Sequence, residues 1–382
     1  MVGLRDPHQI SPQVLGVSAD VAFLLQFFDG GHTLEEIRSE YSKVFRKELP
    51  EKLLLEVVET LDRSYFLDNE TFRSYFTTLR ESFRREITRQ AFHSGTGYPN
   101  DSGALRQTLG GLFAPPKGPG LPGERTHRSL PGLIVPHIDL RIGGHAYARA
   151  YKELAEAQQP DLVIVLGTAH SGLRNHFSLT RKCFSTPLGE LPVDQDFLDR
   201  LLSGLSSDLL TEEFAHRTEH TIEFQVLFLQ LLFGADVSFV PILCSFAPSM
   251  VRHGTSAGEI HSFLEVLRNT VRADGRRVCL IASADLAHVG PRYGDSEGFS
   301  GESLERIKEA DSEMLQHALR IDAEGFLDFI EREEDRRRIC GFPPVYALLK
   351  VLEARKGVLL AHDHGDMDTL GSICSYASLV FD

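Results

Sequence analysis

The sequence predicts an α/β protein in which a central mixed sheet is flanked by helices on both faces, preceded by a small, mostly helical domain. The first observation is that apolar, strand-like segments alternate with amphipathic helical segments from Leu133 onward. Such alternation is typical of a sheet wrapped by helices. The second observation is that the chain has 382 residues, more than most single domains, and that its first part carries mostly helical patterns. We therefore expect two domains, residues 1–85 and 86–382.

The small domain is predicted to contain three helices followed by a short hairpin or wing. Thr33 and Glu36 are spaced as a capping box for the second helix. Pro50 suits the first position of the third helix, which carries apolar residues at helical spacing. The aromatic residues of segment 65–72 then indicate a hairpin. Residues 1–85 are therefore expected to be winged-helix-like.

The role of this domain has three candidate interpretations. The phrases FFDGGHTLEEI and LLLEVVETLDRSYFLD are similar to PqqD-like modules, and that resemblance implies peptide recognition. A winged helix can also read DNA, but acidic residues outnumber basic residues in segment 1–88, which disfavours that role. A docking or dimerisation appendage is an equally open alternative.

A basic helical connector, residues 75–88, is predicted to lead into the large domain, which includes a loop rich in proline and glycine at residues 114–132. The predicted strands are 132–136, 161–166, 237–243, 278–283, 357–361 and 373–381. The predicted helices are 144–156, 194–204, 220–233, 256–272, 301–318, 322–331 and 343–355. Segment 176–194 is expected to form one or two antiparallel strands around a turn at residues 187–189. Strands without alternation, such as 161–166, are expected to be buried on both faces.

Charge and cysteine usage exclude several function classes. A net charge of -14 argues against a broad surface for nucleic acid or acidic membranes, because phosphate binding needs clustered basic residues. The five cysteines are scattered without a CxxC pair, which indicates a reducing compartment and no disulfide framework. The sequence has no signal-peptide pattern and no apolar run of about 20 residues. We expect a cytoplasmic protein whose partners include neither nucleic acid nor membranes.

Three predicted buried strands each deliver a histidine shortly after they end. The first leads to His137, the second to His170, and the third to Asp285 and His288. In open α/β sheets, the loops that leave the carboxyl ends of the strands assemble ligand sites. Each histidine taken alone is more simply a hydrogen-bonded loop residue. The repetition in three strands favours one shared site.

Asp285 and His288 are candidates for catalytic acid and base work. Their spacing of three would put both side chains on one side of a helical turn. A carboxylate beside an imidazole orients the ring and raises its basicity, which suits a general base. The alternative is an aspartate that only caps the turn.

Cys340 is the cysteine with the most reactive surroundings. It precedes Gly341 and an apolar helix, and it follows the basic residues 336–338. A helix N-terminus and basic neighbours would lower the pKa of the thiol and favour the metal-binding thiolate. The other four cysteines are interpreted as small core residues. With His137 and His170, Cys340 would form a site suited to iron, copper or zinc.

Glu219, His220 and Glu223 open the long apolar helix, with Thr218 as a plausible cap. His220 and Glu223 share a helix face because they are three residues apart. Either these groups support the metal ligands from behind, or they form a solvated first turn. The solvated turn is the simpler interpretation.

Six ordered motifs in residues 86–382 resemble the MEMO family, also called AmmeMemoRadiSam system protein B. The motifs are RQAFHSGTGYPNDSGAL, IVPHIDLRIGGHAYARAYKEL, VIVLGTAHSG, TEHTIEFQVLFLQ, ASADLAHVG and RICGFPPVYALLKVL. The resemblance implies a fold similar to the class III extradiol dioxygenases, whose iron is held by two histidines and a carboxylate. It also implies that His137, His170 and Cys340 hold a metal, and that His288 matches the dioxygenase general base.

The sequence departs from the family at Asp139, which stands where the family has glycine after His137. Asp139 is therefore expected to act as an extra ligand or to reshape the pocket. Gly97 replaces the aromatic residue that commonly precedes Tyr98, which weakens the case for an aromatic peptide-binding surface like the family's.

The resemblance leads to one favoured function and two alternatives. We favour a redox protein that binds iron or copper rather than zinc and works with a radical SAM enzyme and an AMMECR1-like protein. The first alternative is a non-catalytic scaffold that binds a peptide or partner in the same pocket. The second is a zinc-dependent hydrolase with an activated water. A thiolate in place of the carboxylate makes ordinary ring cleavage an unlikely activity.

Overall fold

The structure, a computed structural model, describes residues 1 to 382, which form two compact units, Met1–Arg85 and Glu86–Asp382. The elements of the first unit are β1 (Val2–Arg5), β2 (Val14–Val17), α1 (Ala19–Leu25), α2 (Leu34–Phe45), α3 (Glu51–Arg63) and α4 (Glu70–Arg85). Thr33 and Glu36 form the predicted capping box at the start of α2. The unit has its own apolar core, which contains Leu24, Ile37, Tyr41, Leu49 and Leu54.

The hairpin predicted after the third helix is wrong. Residues 65–69 form a turn, and the side chain of Asn69 then accepts the N–H of Phe72 at the start of α4. The rings of Phe72 and Phe76 stack along this helix with their centroids 5.9 Å apart. The aromatic residues therefore follow helical spacing. Strand pairing in this unit lies instead between β1 and β2, at the start of the chain.

The second unit alternates strands and helices as predicted. Its strands are β3 (Thr88–Arg89), β4 (Gly132–Val135), β5 (Leu162–Thr168), β6 (Phe177–Leu179), β7 (Cys183–Thr186), β8 (Gly189–Leu191), β9 (Ser238–Cys244), β10 (Val278–Ser283), β11 (Asp285–Val289), β12 (Gly357–Asp366) and β13 (Ile373–Phe381). Its helices are α5 (Ser102–Leu112), α6 (Leu140–Glu156), α7 (Gln195–Ser203), α8 (His220–Phe233), α9 (Pro248–Arg252), α10 (Gly254–Asp274), α11 (Gly301–Leu319), α12 (Ala323–Arg332) and α13 (Phe342–Val351).

The main sheet has eight strands and is mixed, which confirms the predicted fold class. Its strand order is β11-β13-β4-β10-β5-β9-β6, with β12 paired to the other edge of β13. The four central strands β4, β10, β5 and β9 run parallel, and the outer strands pair antiparallel. Every residue of β5 is buried, as expected for an apolar run without alternation. Strands β7 and β8 form the predicted antiparallel pair in a separate small sheet with β3.

Helices flank the main sheet and cover its apolar faces. Helix α6 packs against β4, β12 and β13, while α8 and α13 pack against the central strands β5 and β10. Helix α8 is buried on nearly all sides, which explains its apolar composition without a polar stripe. No helix in the structure combines the length and the apolar character needed to cross a membrane.

Candidate metal centre

The predicted histidines lie at one edge of the main sheet because their strands are parallel neighbours. Strand β10 lies between β4 and β5, and Ser283 at its end pairs with Val135 on one side and Gly167 on the other. His137 comes shortly after β4 ends, and His170 shortly after β5 ends. Both side chains are therefore delivered to the carboxyl edge of the sheet, where α/β proteins assemble their sites.

His137, His170 and Cys340 converge at this edge, although Cys340 is remote from them in sequence. Their ligand atoms all lie within 4.8 Å of one another. Sγ of Cys340 lies 3.2 Å from Nε2 of His137. Around a tetrahedral ion, sulfur at about 2.3 Å and nitrogen at about 2.0 Å leave the two donors about 3.5 Å apart. Cys340 and His137 are thus spaced as two ligands of one ion would be, and the ligand atom of His170 lies within 4.8 Å of both.

Both imidazoles are held through a hydrogen bond at Nδ1, which leaves Nε2 as the nitrogen that can bind a metal. Nδ1 of His137 lies 3.0 Å from the carbonyl oxygen of Ser283, which can only accept, so Nδ1 carries the proton. Nδ1 of His170 lies 3.1 Å from the carboxylate of Glu219. Metal-binding histidines commonly donate their second N–H to a carbonyl or carboxylate in this way. The orientation of both rings therefore fits metal ligation.

Glu219 is a buried carboxylate that links His170 to the start of α8. It accepts the N–H of His170 at 2.9 Å and, as the N-cap of α8, the N–H groups of His220 and Thr221. Burial alone would raise the pKa of Glu219, but His170 and His220 hold that pKa well below its usual value. Burial alone would lower the pKa of His170, and Glu219 raises it well above its usual value. Glu219, not Thr218, caps the helix, so the prediction of a Thr218 cap is wrong.

His220 and Glu223 serve different neighbours on the first turn of α8. The ring of His220 stacks on His170 with centroids 5.0 Å apart. Glu223 is fully buried and forms an ion pair with Arg89, while it also accepts the hydroxyl of Tyr98. Of the two interpretations of this turn, the solvated one is therefore wrong for Glu219 and Glu223, which are buried, whereas His220 is partly exposed. The sequence could not reveal the ion pair with Arg89, because Arg89 lies far from Glu223 along the chain.

The environment of the Cys340 thiol differs from the expectation. Burial raises the pKa of this thiol, and His170 acts in the opposite direction but does not overcome it. The basic neighbours do not reach the sulfur, because Arg337 pairs with Asp311 and Arg338 pairs with Asp295. The predicted lowering of the thiol pKa is therefore wrong in the absence of metal. A thiolate at this position needs a bound cation.

The backbone around Cys340 is fixed against the sheet. The hydroxyl of Thr168 donates to the carbonyl of Cys340 at 3.0 Å, and the N–H of Gly341 donates to the carbonyl of Asp285 at 3.1 Å. A Cβ at position 341 would lie 2.3 Å from that carbonyl oxygen. Only glycine permits this approach, so Gly341 sets the position of the thiol.

Asp285 and His288 lie in strand β11 rather than in the predicted helical turn. A β-bulge between them shifts the register, so that Asp285 pairs with Tyr376 and His288 pairs with Cys374. In a regular strand, residues three apart point to opposite faces, whereas one extra residue restores the same face. The predicted proximity of the two side chains is thus achieved by a bulge, which sequence spacing could not reveal.

A backbone carbonyl, and not Asp285, orients the ring of His288. Its Nδ1 lies 3.1 Å from the carbonyl oxygen of Leu286, so Nδ1 is the protonated nitrogen and Nε2 is basic. Burial lowers the pKa of His288, and Asp285 partly opposes that effect. Burial raises the pKa of Asp285. Oδ1 of Asp285 accepts the N–H groups of His137 and Ile138 at 2.9 and 3.1 Å and so holds the loop after β4.

Cys374 is the residue near the centre that sequence reasoning missed. It was interpreted as a core residue, and it is indeed buried, but its Sγ lies 3.3 Å from Nε2 of His288. The register between β11 and β13 creates this contact, and no local motif marks it. Asp139 shows the opposite case. It caps α6 and pairs with Arg141, and it is not part of the group formed by His137, His170 and Cys340.

A cleft of about 340 Å³ opens beside Cys340. Most of its wall is apolar and includes Phe246, Pro248 and Phe342, and its polar groups include His176 and Asp335. Pockets for small molecules commonly have volumes of about 300–1,000 Å³ and mostly apolar walls. The cleft is therefore large enough for a small organic molecule next to the candidate ligand.

Comparisons with known proteins found one matching family model and several similar proteins. The model of a family described as Memo-like protein matches residues 89–380. A MEMO1 family protein of Aquifex aeolicus is 28% identical over 387 aligned positions, which cover 99% of this chain and 95% of the relative. One from Methanopyrus kandleri is 30% identical and covers 75% of this chain and 96% of the relative. The crystal structure of an uncharacterized Escherichia coli K12 protein, JW3007, has a TM-score of 0.40 and 15% identity, and the match covers 66% of this chain and 100% of that one.

Proposed function

Because the chain belongs to the Memo-like protein family, we propose that its second unit is a metal-dependent redox enzyme whose ion is held by His137, His170 and Cys340. The observation that carries this proposal is the convergence of one ring nitrogen from each histidine and the Sγ atom of Cys340 within 4.8 Å at the sheet edge. We propose iron or copper rather than zinc, because the resemblance to the iron-containing extradiol dioxygenases implies a redox-active ion. A bound iron or copper ion would supply electron transfer and Lewis acidity at this edge.

The residues present fit such an ion by their chemistry. Imidazole nitrogen and thiolate sulfur are donors that iron, copper and zinc accept. The hydrogen bonds from Nδ1 of His137 to Ser283 and from Nδ1 of His170 to Glu219 leave both Nε2 atoms available. Glu219 adds a negative charge behind His170, which raises the donor strength of that imidazole. The burial that raises the pKa of Cys340 would be offset by the charge of the cation.

We propose that His288 moves a proton during the reaction. Its Nδ1–H is held by the Leu286 carbonyl, and burial lowers its pKa, so that the ring is neutral and Nε2 can accept a proton at neutral pH. Asp285 supports this role through its charge, and its Oδ1 keeps His137 in place through a backbone N–H. The substrate would enter the cleft beside Cys340, whose wall is mostly apolar.

Partners follow from the resemblance and are part of the proposal. We propose that the protein acts in the cytoplasm with a radical SAM enzyme and an AMMECR1-like protein. The first unit, Met1–Arg85, would recognise a peptide, as its resemblance to PqqD-like modules implies. The match to the Aquifex aeolicus relative spans 99% of this chain, so that relative shares both units.

Metal analysis of the purified protein tests the proposal. We expect at least one equivalent of iron or copper per chain, which is lost in His170→Ala and in Cys340→Ala. Cys279→Ala is the matched control, because Cys279 is a buried cysteine of β10 outside the three metal-binding groups. Variants that keep the full iron or copper content of the wild type would overturn the proposal. A metal-free protein that binds a peptide would favour the scaffold, and zinc without any redox response would favour the hydrolase.

A further inference from the structure

We propose that Asp285, His288 and Cys374 form a second metal site, which takes a divalent transition-metal ion of the zinc or cobalt type. Their ligand atoms, one oxygen, one nitrogen and one sulfur, all lie within 4.8 Å of one another. The three groups share no ligand with the set formed by His137, His170 and Cys340. The inference therefore stands on its own geometry and does not require the first ion.

The sulfur and nitrogen donors have the separation that an ion imposes. Sγ of Cys374 lies 3.3 Å from Nε2 of His288. Two such donors around a tetrahedral zinc-type ion are about 3.5 Å apart, given bond lengths of about 2.3 Å to sulfur and 2.0–2.1 Å to nitrogen. Binding would require the Cys374 thiol to lose its proton to solvent as the metal–sulfur bond forms. This step involves no oxidation or reduction.

The ring of His288 is prepared for ligation in the same way as the ring of His137. In both residues Nδ1 lies within hydrogen-bonding distance of a backbone carbonyl oxygen, Leu286 for His288 and Ser283 for His137. The carbonyl can only accept, so Nδ1 is protonated and the lone pair of Nε2 points away from the backbone. This support by an acceptor behind the ring is a common feature of metal-binding histidines.

Asp285 has one carboxylate oxygen free for a ligand role. Its Oδ1 accepts two backbone N–H groups, from His137 and Ile138. Its Oδ2 lies 3.5 Å from Nε2 of His137 and is not used by those amides. The free oxygen therefore lies between the two sets of donors. An ion at each set would share Asp285 as a close neighbour.

The β-bulge in β11 assembles this set. It places Asp285 opposite Tyr376 and His288 opposite Cys374, so that the two β11 side chains share one face with Cys374. Without the extra residue, either Asp285 or His288 would point to the other face of the sheet. Bulges occur often beside functional sites, where they redirect a side chain. His288 remains partly exposed, which leaves a path for an ion to enter.

The two roles of His288 belong to different states of the protein. When only the first ion is bound, Nε2 of His288 is free to move a proton. When the second ion is bound, Nε2 is a ligand and the proton role is lost. Filling the second site is therefore expected to suppress any activity that needs His288.

Titration of the metal-stripped full-length protein with Co²⁺ tests the inference. Tetrahedral Co²⁺ bound to thiolate gives a charge-transfer absorption, so each site reports its own cysteine. We expect two equivalents in the wild type, one in Cys374→Ala and one in Cys340→Ala, with a thiolate band retained in each single variant. His288→Gln should lose the same equivalent as Cys374→Ala. Cys279→Ala, in strand β10 of the same sheet, should bind as the wild type does.

The outcomes separate the second site from the first. A Cys340→Ala variant that binds no Co²⁺ overturns the second site and leaves the first intact. A Cys374→Ala variant that binds none overturns the first site alone. A wild type that saturates at one equivalent, or a Cys374→Ala variant that still takes two, refutes the inference. If Cys374→Ala does not fold, the number of Co²⁺ equivalents bound by His288→Gln tests the second site in its place.

Discussion

Replacing Glu219 with glutamine should weaken metal binding at His170 without removing a ligand. Glu219 accepts the backbone N–H of His170 at 2.9 Å and lies 3.1 Å from its Nδ1. Glutamine keeps one acceptor oxygen but turns an NH₂ group toward one of these donors and removes the negative charge. Loss of such support behind a metal-binding histidine typically lowers metal affinity about 10–100-fold. This range corresponds to about 1.4–2.8 kcal/mol.

The affinity is best measured by competition between the protein and a chelator for Co²⁺. Glu219 also raises the pKa of His170, so protons compete with the metal in the wild type. The titration should therefore be run at several pH values above the ordinary imidazole value, since this competition weakens as the pH rises. Glu212→Gln is the matched control, because Glu212 accepts the backbone N–H groups of Arg174 and Asn175 in the same loop but bonds no imidazole. Equal affinities in Glu219→Gln and Glu212→Gln would refute the reasoning.

Three further predictions concern the residues that hold the site together. Glu223→Gln leaves Arg89 buried without its charged partner and should lower the free energy of unfolding by about 3–5 kcal/mol in denaturant titrations. Burial alone would raise the pKa of Glu223, yet Arg89 lowers it. The ionised Glu223 therefore contributes its full stabilisation above the pKa of an unfolded glutamate, about 4.3, and this stabilisation should be lost as the pH falls through the lower pKa of the folded state. Curves of unfolding free energy against pH for the wild type and Glu223→Gln can follow this loss. Gly341→Ala should lower the free energy of unfolding by about 1–3 kcal/mol and weaken Co²⁺ binding, because its Cβ would lie 2.3 Å from the Asp285 carbonyl oxygen. Gly258→Ala is the control and should do neither, since nothing lies within 4 Å of its Cβ.

Each of these predictions can fail on its own. A Glu223→Gln protein as stable as the wild type would show that the buried pair with Arg89 contributes nothing. If the wild type and Glu223→Gln lost the same amount of stability as the pH falls, the pH dependence assigned to Glu223 would be contradicted. Unchanged Co²⁺ affinity in Gly341→Ala would mean that the close approach of α13 to β11 does not set the position of Cys340.

The sequence was sufficient to predict the elements that carry the ligands. Apolar runs without alternation, such as residues 161–166, predicted strands buried on both faces, and β5 is such a strand. Because parallel strands end at the same edge, the loops after them could be expected to meet there. The surroundings of Cys340 in the sequence, and then the resemblance, predicted it as a ligand from another element, and its Sγ lies 3.2 Å from Nε2 of His137.

Pairing across distant strands was beyond sequence reasoning. Cys374 lies opposite His288 only because β11 pairs with β13, and the bulge between Asp285 and His288 depends on that register. Register is set by packing and turn geometry, which no local pattern records. The same limit applies to Glu223, whose partner Arg89 follows from the tertiary fold.

Errors in the local reading have a common physical origin. The basic residues before Cys340 were expected to act on the nearest thiol, but Arg337 and Arg338 pair with aspartates instead. The aromatic residues after α3 were read as a hairpin, but their spacing extends the helix α4. In both cases the fold gives a charge or an aromatic ring a partner other than the expected one.

The central claim is that one redox-active ion is bound by His137, His170 and Cys340. Diffraction data collected at the iron and copper absorption edges from crystals of the purified full-length protein test it most directly. The proposed function predicts an anomalous peak about 2.0–2.1 Å from an imidazole nitrogen of each histidine and about 2.3 Å from the sulfur. Crystals without a peak between these three side chains at either edge would contradict the claim.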